Sequence, residues 1–305
     1  MARAKLTFRA APVRVRVPAT SANLGPGFDT VGLALSLYDD IVVRVTESGL
    51  SVDVAGMGAA TVARNARNLV VRAMRAAFDR LGARPRGLEV VCANRIPHGR
   101  GLGSSAAAIV GGIVAARGLV VGGSERLDDR AALALAAELE GHPDNVASCL
   151  LGGLTLAWSG DDGVDAVRVD VDPSIAPVAF VPGTSSSTKA TRRLLPDSVP
   201  HGDAARNAGR AALLVEALRH HPGLLMTATE DLLHQPYRAE AMPRTAALLS
   251  ELRGNGVPAV LSGAGPTVLA LTTEETRPKV LEMGRRGWTP LAVDVDVEGA
   301  VPLPL

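Results

Sequence analysis

The order of hydrophobic and polar residues divides the chain into alternating strand patterns and helix patterns. Short apolar or alternating runs, the pattern of strands, lie at 13–17, 41–45, 50–54, 88–93, 153–158, 164–171, 260–261 and 268–271. Apolar residues at helical spacing lie at 68–81, from about 104 onwards, and at 129–140, 203–220, 224–234 and 243–253. A last helix and a last strand are predicted before the chain ends.

Both kinds of element are interspersed along the whole chain, which predicts an α+β or α/β fold. A stretch punctuated by prolines at 173–183 separates an earlier part with more strands from a later part with more helices. A chain of 305 residues is long enough for two domains. We therefore expect one domain at residues 1–168 and a second at residues 169–305.

Composition narrows the class of protein. Hydrophobic residues make up 47% of the chain and aromatic residues only 3%, so a substantial core must consist mainly of Ala, Val and Leu. The formal net charge of +1 gives no reason to expect a nucleic-acid partner. Cys92 and Cys149 match no disulfide or zinc spacing, and the most apolar window, 106–121, is broken by glycine and arginine. We expect a soluble cytoplasmic enzyme with no membrane partner.

The strongest chemical signal is the segment 97–107, Pro-His-Gly-Arg-Gly-Leu-Gly-Ser-Ser-Ala-Ala. It follows a predicted strand and opens a predicted helix. Backbone N–H groups at a helix start bind phosphate, and glycines let the backbone come close to it. A serine hydroxyl at this point is also a suitable Mg²⁺ ligand. The segment therefore predicts a loop that binds the phosphates of a nucleotide.

Three other kinds of loop share features with this segment. A Walker loop needs a Gly-Lys pair, which the chain lacks. A dinucleotide fingerprint needs Gly-x-Gly-x-x-Gly with an acidic residue at the end of the next strand, but these glycines alternate and the acidic residues at 125–129 lie in a linker. An ordinary glycine-rich turn with a serine cap is the structural alternative.

The full string of this segment resembles the central motif of the GHMP kinases, which include galactokinase, homoserine kinase and mevalonate kinase. Residues 18–29, Pro-Ala-Thr-Ser-Ala-Asn-Leu-Gly-Pro-Gly-Phe-Asp, and residues 261–267, Leu-Ser-Gly-Ala-Gly-Pro-Thr, resemble the family's other two motifs and stand in the family's order. The resemblance implies an α+β, two-domain GHMP kinase fold. Its N-terminal domain, which binds ATP, would be like domain 2 of ribosomal protein S5, and its C-terminal domain would be ferredoxin-like, with the site between them.

Within that family, four segments are similar to the homoserine kinases: 21–35, 140–153, 187–196 and 234–238. The resemblance implies that ATP is the phosphate donor, that Mg²⁺ is required, and that the acceptor is the side-chain hydroxyl of L-homoserine. The product would be O-phospho-L-homoserine, in threonine biosynthesis. A homodimer is the oligomeric state that the resemblance suggests.

The charges of homoserine fit residues in these segments. Arginine holds a carboxylate with two parallel hydrogen bonds, so Arg192 and Arg238 are the candidates for the carboxylate of homoserine. Asp29 and Asn23 are the candidates for its ammonium group. The resemblance adds four pocket residues: His142, Asp144, Asn145 and Thr188. It also implies that three residues act at the reacting groups: Asn145, Asp144 and Arg192.

The resemblance also assigns residues to the nucleotide. It places Mg²⁺ at Ser105 and Glu140, with Glu138 as the alternative carboxylate because the family's spacing varies here. The residues expected at ATP are Asn68, Pro97, Gly99, Arg100, Gly101, Leu102, Gly103, Ser104, Ser105 and Ala106. The C-terminal glycine motif consists of Ser262, Gly263, Ala264 and Gly265.

Each candidate also has a structural interpretation. Asp29 and Asp144 are suited to capping helices, Glu138 and Glu140 to a solvated helix end, and Arg192 to the surface. Only their joint occurrence in family order favours function.

Two other functions stay open: a GHMP kinase for another alcohol, such as a sugar or an isoprenoid precursor, and a non-catalytic protein that binds ATP. Whether a general base removes the hydroxyl proton is open as well.

Overall fold

The computed structural model describes residues 7–304, apart from the side chains of residues 188 and 189. Its strands are β1 (Val13–Ala22), β2 (Val31–Thr46), β3 (Gly49–Gly56), β4 (Gly87–Asn94), β5 (Leu154–Gly160), β6 (Gly163–Val169), β7 (Val178–Pro182), β8 (Ala259–Leu261), β9 (Val268–Ala270), β10 (Trp288–Ala292) and β11 (Val301–Leu303). Its helices are α1 (Leu69–Leu81), α2 (Ser104–Leu119), α3 (Gly123–Arg126), α4 (Asp129–Glu140), α5 (Asp144–Leu151), α6 (Thr188–Arg192), α7 (His201–Arg219), α8 (Leu225–Ala228), α9 (Gln235–Arg238), α10 (Pro243–Gly254) and α11 (Arg277–Glu282). This interspersed order confirms the predicted α+β layout.

Seven strands form the first sheet. Its main path runs β11-β1-β2-β4-β3, while β5 pairs with β2 and with β6. The pairs are antiparallel except for β3 and β4, which are parallel and are joined by α1. A parallel pair needs a crossover connection, and α1 supplies it.

Helix α2 lies at the centre of the main core. It packs against α1, α4 and α5 and against strands β1 and β2, so its side chains are buried on nearly all sides. The sequence permits this because the helix consists mostly of alanine, glycine, valine and isoleucine, without any aromatic side chain. The surrounding core therefore fixes the position of its first turn at Ser104.

The second sheet has four antiparallel strands in the order β10-β7-β9-β8. Phe180 on β7 and Leu248 and Leu252 on α10 belong to a smaller core of its own. The β8–β9 loop reaches the first sheet, where the N–H of Gly263 donates to the carbonyl of Ala22 at 3.0 Å. The two sheets therefore meet at the glycine motif of the second.

The chain returns to the first sheet at its C-terminal end. Strand β11 pairs antiparallel with β1, with Val301 opposite Arg16. Strand β1 is therefore flanked by β2 on one side and by β11 on the other. The division into residues 1–168 and 169–305 stays a prediction. With that division, the second domain contributes strand β11 to the sheet of the first domain.

The single helix predicted at 224–234 is wrong, because the chain forms a 3₁₀ turn, the short helix α8 and then α9. The hydroxyl of Thr229 donates to the carbonyl of Leu225 at 2.7 Å where α8 ends. The carboxylate of Asp231 then accepts the backbone N–H groups of residues 233–235. Hydrogen bonds from side chains to the local backbone compete with helix formation, and here they interrupt the helix.

Candidate active site

Three segments that are far apart in the sequence meet at one place: residues 20–24 at the end of β1, residues 97–103 before α2, and residues 262–267 between β8 and β9. Backbone hydrogen bonds cross between them. The N–H of Thr20 donates to the carbonyl of Leu102 at 3.1 Å, and the N–H of Thr267 donates to the carbonyl of Arg100 at 3.2 Å. The three motifs found in the sequence therefore build a single site.

Ser262 joins the same three segments through its side chain. Its hydroxyl donates to the carbonyl of Gly101 at 2.6 Å and lies 2.9 Å from the hydroxyl of Ser21. Gly101 has a φ of +77°, and a Cβ at this position would lie 2.3 Å from the carbonyl oxygen of Ser262. Both the backbone conformation and the close contact therefore require glycine at 101.

Helix α2 begins directly after the glycine loop. Gly103 precedes the helix with a left-handed φ of +68° and offers no side chain to cap it. The first N–H groups of a helix have no partner within the helix, and the helix dipole makes this end positive. Because Gly103, Ser104 and Ser105 line the neighbouring cavity, this helix start is available to phosphate oxygens.

A cavity of about 260 Å³ lies where the three segments meet. It brings together most of the predicted site residues: Asn23, Asp29, Gly99, Gly101, Gly103, Ser104, Ser105, Glu140, His142, Asp144, Asn145, Arg192, Arg238, Gly263, Ala264 and Gly265. Phe28 and Ser186 also line it, and neither was among the predicted site residues. We name it the central cavity.

Asp29 and Arg192 form an ion pair in the central cavity. The backbone N–H of Asp29 donates to Oδ1 of Asn23 at 2.9 Å, and Nδ2 of Asn23 donates to the carbonyl of Gly263 at 3.0 Å. Asn23 and Asp29 have φ values of 70° and 56°, a conformation that Asn and Asp adopt more readily than most residues. The cavity thus presents a carboxylate and a guanidinium side by side, which matches the two charges of an amino acid.

Arg238 is the second guanidinium of the central cavity and is almost completely buried. Its Nη1 contacts Nδ1 of His234 at 3.0 Å and the carbonyl of Gly263 at 3.2 Å. The other ring nitrogen of His234 lies 2.9 Å from the carbonyl of Gly25. Burial lowers the pKa of His234 to about 4, so its imidazole is neutral near pH 7 and Nδ1 can accept from Arg238. His234 therefore orients Arg238.

The ring of Phe28 lies against both arginines of the cavity. The guanidinium carbons of Arg192 and Arg238 are 5.5 and 5.6 Å from its centroid, and the ring of His234 stacks on it at 5.1 Å. Cation–π attraction stabilises each guanidinium by roughly 0.5–2 kcal/mol. The ring therefore helps to hold two like charges near each other. Phe28 is one of only four phenylalanines in the chain, and this scarcity was the signal available in the sequence.

His142, Asp144 and Asn145 form the wall of the central cavity at the start of α5. Nδ1 of His142 lies 2.7 Å from Oδ1 of Asp144, and the backbone N–H of Asn145 donates to the same oxygen at 2.8 Å. The hydrogen bond with Asp144 raises the pKa of His142. Asp144 is buried, so its carboxylate is held in a fixed position.

The hydroxyl of Ser105 donates to Oε1 of Glu140 at 2.5 Å at the edge of the same cavity. Glu138, the alternative carboxylate, instead pairs with Arg80 at 2.7 Å, and both of those side chains are exposed. Of the two glutamates, only Glu140 lies on the central cavity.

A second cavity, of about 220 Å³, adjoins the central cavity at Ser104 and Ser105. Its walls are largely apolar, with Ile41, Val54 and Val70 among them. Asn68, which was predicted near adenine, lies on this wall, where its Oδ1 also caps α1 by accepting from the N–H of Val70 at 2.9 Å. We name it the side cavity.

Four polar residues of the side cavity were not selected from the sequence: Asp39, Cys92, Asn94 and His98. Burial raises the pKa of Asp39, although the backbone N–H groups of Arg95 and Ile96 donate to its carboxylate. Burial also raises the pKa of the Cys92 thiol to about 12. Neither group was marked by a motif, because each is contributed by an ordinary position on a strand.

Some predicted nucleotide residues lie beside the cavities rather than on them. Pro97, Leu102 and Ala106 are buried behind the glycine loop. The guanidinium of Arg100 points away and donates to the carbonyls of His98, Pro182 and Gly183. Ser262 joins the segments, as described above, and the side chain of Thr188 lies outside the described residues.

A larger cavity, of about 400 Å³, lies between α9 and α10. It shares Arg238 with the central cavity, but neither the glycine loop nor the start of α2 contributes to its lining. Size alone therefore does not single out the cavity that contains the glycine loop.

Comparisons with known proteins show the family of this chain. The family model for the GHMP kinase N-terminal domain matches residues 68–153, and the model for the GHMP kinase C-terminal domain matches residues 213–289. The chain is 62% identical to the homoserine kinase of Streptomyces coelicolor over 298 residues. This alignment covers 98% of this chain and 96% of that protein. The chain belongs to the GHMP kinase family, among the homoserine kinases. A GHMP relative from Clavibacter michiganensis, also a homoserine kinase, is 51% identical over 294 residues, 94% of this chain and 93% of that protein.

Solved structures of GHMP homoserine kinases share the fold. The structure from Cytophaga hutchinsonii superposes with a TM-score of 0.84 at 26% identity, over 98% of this chain and all of that one. A putative homoserine kinase from Listeria monocytogenes gives a TM-score of 0.76 at 31% identity, over 96% of this chain and 99% of that one. The predicted two-domain GHMP kinase fold is confirmed. Within residues 7–304, no helix is long and apolar enough to cross a membrane.

Proposed function

We propose that this protein is an ATP-dependent homoserine kinase, which converts L-homoserine and ATP to O-phospho-L-homoserine and ADP, a step of threonine biosynthesis. One observation carries the proposal. The Asp29–Arg192 ion pair and Arg238 lie in the cavity that also contains the glycine loop and the start of α2. A site for the two charges of an amino acid therefore adjoins a site for phosphate.

The phosphates of ATP would lie along the glycine loop, and its nucleoside would lie in the side cavity. The two cavities meet at Ser104 and Ser105, so a nucleotide can extend from one into the other past the start of α2. The apolar walls of the side cavity suit a purine ring, and Asn68 adds a polar contact there.

Ser105 and Glu140 are the residues that would hold Mg²⁺. Hydroxyl and carboxylate oxygens are the protein ligands that Mg²⁺ prefers, and these two are already in contact. In the described part of the chain, no group of three or more His, Cys, Asp or Glu side chains is placed to hold a metal ion. Phosphate oxygens and water would therefore supply the remaining ligands, as is usual in kinases. Such an ion neutralises negative charge on the phosphate oxygens.

On the acceptor side, Arg192 and Arg238 would hold the carboxylate of homoserine, while Asp29 and Asn23 would hold its ammonium group. In this arrangement the side-chain hydroxyl would point towards Asn145, between the amino-acid site and the glycine loop. Arginine is well suited to this task because its planar guanidinium matches a carboxylate with two parallel hydrogen bonds.

In the proposed reaction, the hydroxyl oxygen of homoserine forms a bond to the γ-phosphorus. The bond from that phosphorus to the bridging oxygen breaks, and its electron pair stays on ADP. Because the transition state of phosphoryl transfer is loose, catalysis consists mainly of positioning and charge stabilisation. The N–H groups at the start of α2 supply positive charge where the phosphate oxygens become more negative.

The hydroxyl proton would pass to a phosphate oxygen rather than to a dedicated base. The obvious base, Asp144, already accepts hydrogen bonds from His142 and from the N–H of Asn145. A general base usually contributes about 10²–10⁴-fold to the rate, so the Asp144→Asn variant should lose less than about 100-fold in kcat. A larger loss with unchanged KM values for both substrates would show that Asp144 is the base.

The decisive experiment is a coupled assay of ADP release with L-homoserine, L-serine, L-threonine and mevalonate. The proposal requires that kcat/KM be highest for L-homoserine by at least about tenfold. Preference for mevalonate would indicate a GHMP kinase for another alcohol. ATP binding without turnover of any alcohol would indicate a non-catalytic protein.

Three further statements stay predictions: the homodimer, the cytoplasmic location and the domain division. Light scattering on the purified protein would give its mass in solution, and cell fractionation would give its location. Limited proteolysis near residue 168 would test the division of the chain.

A further inference from the structure

We propose that Thr20 is a positioning residue for the transfer step: it fixes the side-chain amide of Asn145 relative to the glycine loop. The proposal rests on the proposed function, because it concerns the residue assigned to the acceptor hydroxyl. Thr20 lies near the end of β1 and is completely buried. It belongs to the motif at residues 18–29 but was not among the predicted site residues.

Thr20 contacts Asn145 directly. Its hydroxyl donates a hydrogen bond of 2.7 Å to Oδ1 of Asn145, although the two residues are 125 positions apart. Asn145 lies in the first turn of α5 and lines the central cavity. Its Nδ2 lies 3.4 Å from Oδ1 of Asp144. The oxygen of the amide is therefore turned to Thr20 and its nitrogen to Asp144.

This orientation matters because the two ends of an asparagine amide are not equivalent. The oxygen only accepts hydrogen bonds, and the nitrogen only donates them. With its oxygen engaged by Thr20, Asn145 offers an N–H to a ligand in the cavity. An N–H binds a lone pair of a hydroxyl oxygen and leaves the hydroxyl proton free to depart. With the amide reversed, its oxygen would bind that proton instead, on a group that cannot act as a base.

Thr20 also contacts the glycine loop. Its backbone N–H donates to the carbonyl of Leu102 at 3.1 Å. At Gly103, which precedes α2, a Cβ would lie 1.9 Å from the hydroxyl oxygen of Thr20, so the loop backbone packs directly on that hydroxyl. One residue therefore touches both the phosphate side and the acceptor side of the site.

Local strand geometry explains how Thr20 reaches both sides. The pairing of β1 with β2 shifts register between Pro18 and Ala19. Such irregularities bend a strand and change the direction of the side chains that follow. A displacement of about 1 Å at a reacting centre costs about 100-fold in rate, so a contact that sets this distance affects turnover.

A buried threonine hydroxyl can also serve stability alone, and the two roles predict different measurements. If the role is structural, removing the hydroxyl changes the free energy of unfolding and does not change kcat relative to KM. A positioning role lowers kcat, leaves both KM values nearly unchanged, and acts only while Asn145 is present.

The test is a double-mutant cycle of Thr20→Val, Asn145→Ala and the double variant, with Thr20→Ser as the matched control. Valine keeps the branched shape and replaces the hydroxyl with a methyl group, which cannot donate to Asn145. We expect Thr20→Val to lower kcat by about 10- to 100-fold and to change each KM by less than about 3-fold. Thr20→Ser should stay within about 3-fold of the wild type. In the Asn145→Ala background, Thr20→Val should change kcat by less than about 3-fold.

A wild-type kcat in Thr20→Val overturns the proposal, and so does an equal loss in both backgrounds. If Thr20→Val does not fold, Thr20→Ala replaces it under the same criteria. A readout without turnover separates this proposal from the proposed function: the NMR signals of the Asn145 side-chain amide, identified by their loss in Asn145→Ala. These signals should shift in Thr20→Val and not in Thr20→Ser. If the signals are unchanged in both variants, the role of Thr20 is overturned, even if the protein phosphorylates homoserine. If they shift in Thr20→Val alone, the role of Thr20 is supported, even if the protein does not phosphorylate homoserine.

Discussion

The guanidinium of Arg192 contacts the carboxylate of Asp29 across 163 positions of the sequence. The two side chains are 39% and 40% exposed. Ion pairs this exposed contribute about 0–1 kcal/mol to stability, so the fold gains little from this one. An amino acid can replace the pairing with two of its own, its carboxylate on Arg192 and its ammonium group on Asp29, at little cost to the protein.

The first prediction follows from that exchange. Arg192→Leu removes a charged hydrogen-bond donor for the carboxylate, and such bonds are worth about 1.5–3 kcal/mol. We expect the KM for L-homoserine to rise by about 10- to 100-fold and the KM for ATP to change less than about 2-fold, in an assay of ADP release. Arg193→Leu, at the exposed next residue, is the matched control and should leave both values unchanged. Equal increases in both KM values for Arg192→Leu would contradict the assignment.

The two glutamates at the end of α4 provide a test of the Mg²⁺ site. Because Glu140 contacts Ser105 in the central cavity, Glu140→Gln should raise the Mg²⁺ concentration that gives half of the maximal rate by about tenfold or more. Because Glu138 pairs with Arg80 on the surface, Glu138→Gln should leave that concentration within about 2-fold of the wild type. A Mg²⁺ titration at fixed ATP distinguishes them. The reverse result would move the site to Glu138.

Two glycine substitutions should have effects of opposite sign on stability. Gly101→Ala places a Cβ 2.3 Å from the carbonyl oxygen of Ser262 and forces alanine into a left-handed conformation, which alone costs about 1–2 kcal/mol. Gly209 lies in α7, and beyond its own stretch of helix no atom lies within 4 Å of the added Cβ, so we expect Gly209→Ala to stabilise the protein by about 0.5–1 kcal/mol. Urea denaturation measures both. A Gly101→Ala protein as stable as the wild type would exclude the close contact of the two loops.

The stability contributed by His142 should depend on pH. Its hydrogen bond with Asp144 raises its pKa in the folded state, so the folded state binds this proton more tightly than the unfolded state. The stabilisation by protonated His142 is complete below about pH 6.5, the pKa of histidine in the unfolded chain. It is lost as the pH rises through the higher pKa that His142 has in the folded state. We therefore expect His142→Gln to lower the free energy of unfolding more at about pH 5.5 than at about pH 8.5. Equal losses at both pH values, measured with urea, would contradict the raised pKa.

Motifs made of glycine, proline and serine were readable from the sequence because each of these residues restricts the local backbone. The glycine loop is an example, since Gly101 and Gly103 both adopt a positive φ, which glycine does at no steric cost. Helix α4 was predicted with its observed bounds, 129 and 140, because an apolar helical pattern begins just after the capping residue Asp128. These features depend on residues that are neighbours in the chain, so the sequence shows them directly.

Other parts of the site depend on contacts between distant residues. Nothing near Phe28 indicates that two arginines lie against its ring, since both come from the second half of the chain. Similarly, the direction of the Arg100 side chain is set by the carbonyls of Pro182 and Gly183. Helix α5 escaped prediction because it has only eight residues and follows α4 with almost no linker.

The pairing of β11 with β1 has a consequence for how the protein is made. Translation releases the N-terminal residues first, at about 5–20 residues per second. Strand β1 is made before the other strands of its sheet, but the strand that covers its free side is contributed by residues 301–303. Until those residues are made, the backbone groups on that side of β1 have no partner from β11, and such an edge can pair with another chain. The first sheet therefore stays open at β1 while the whole second sheet is being synthesised.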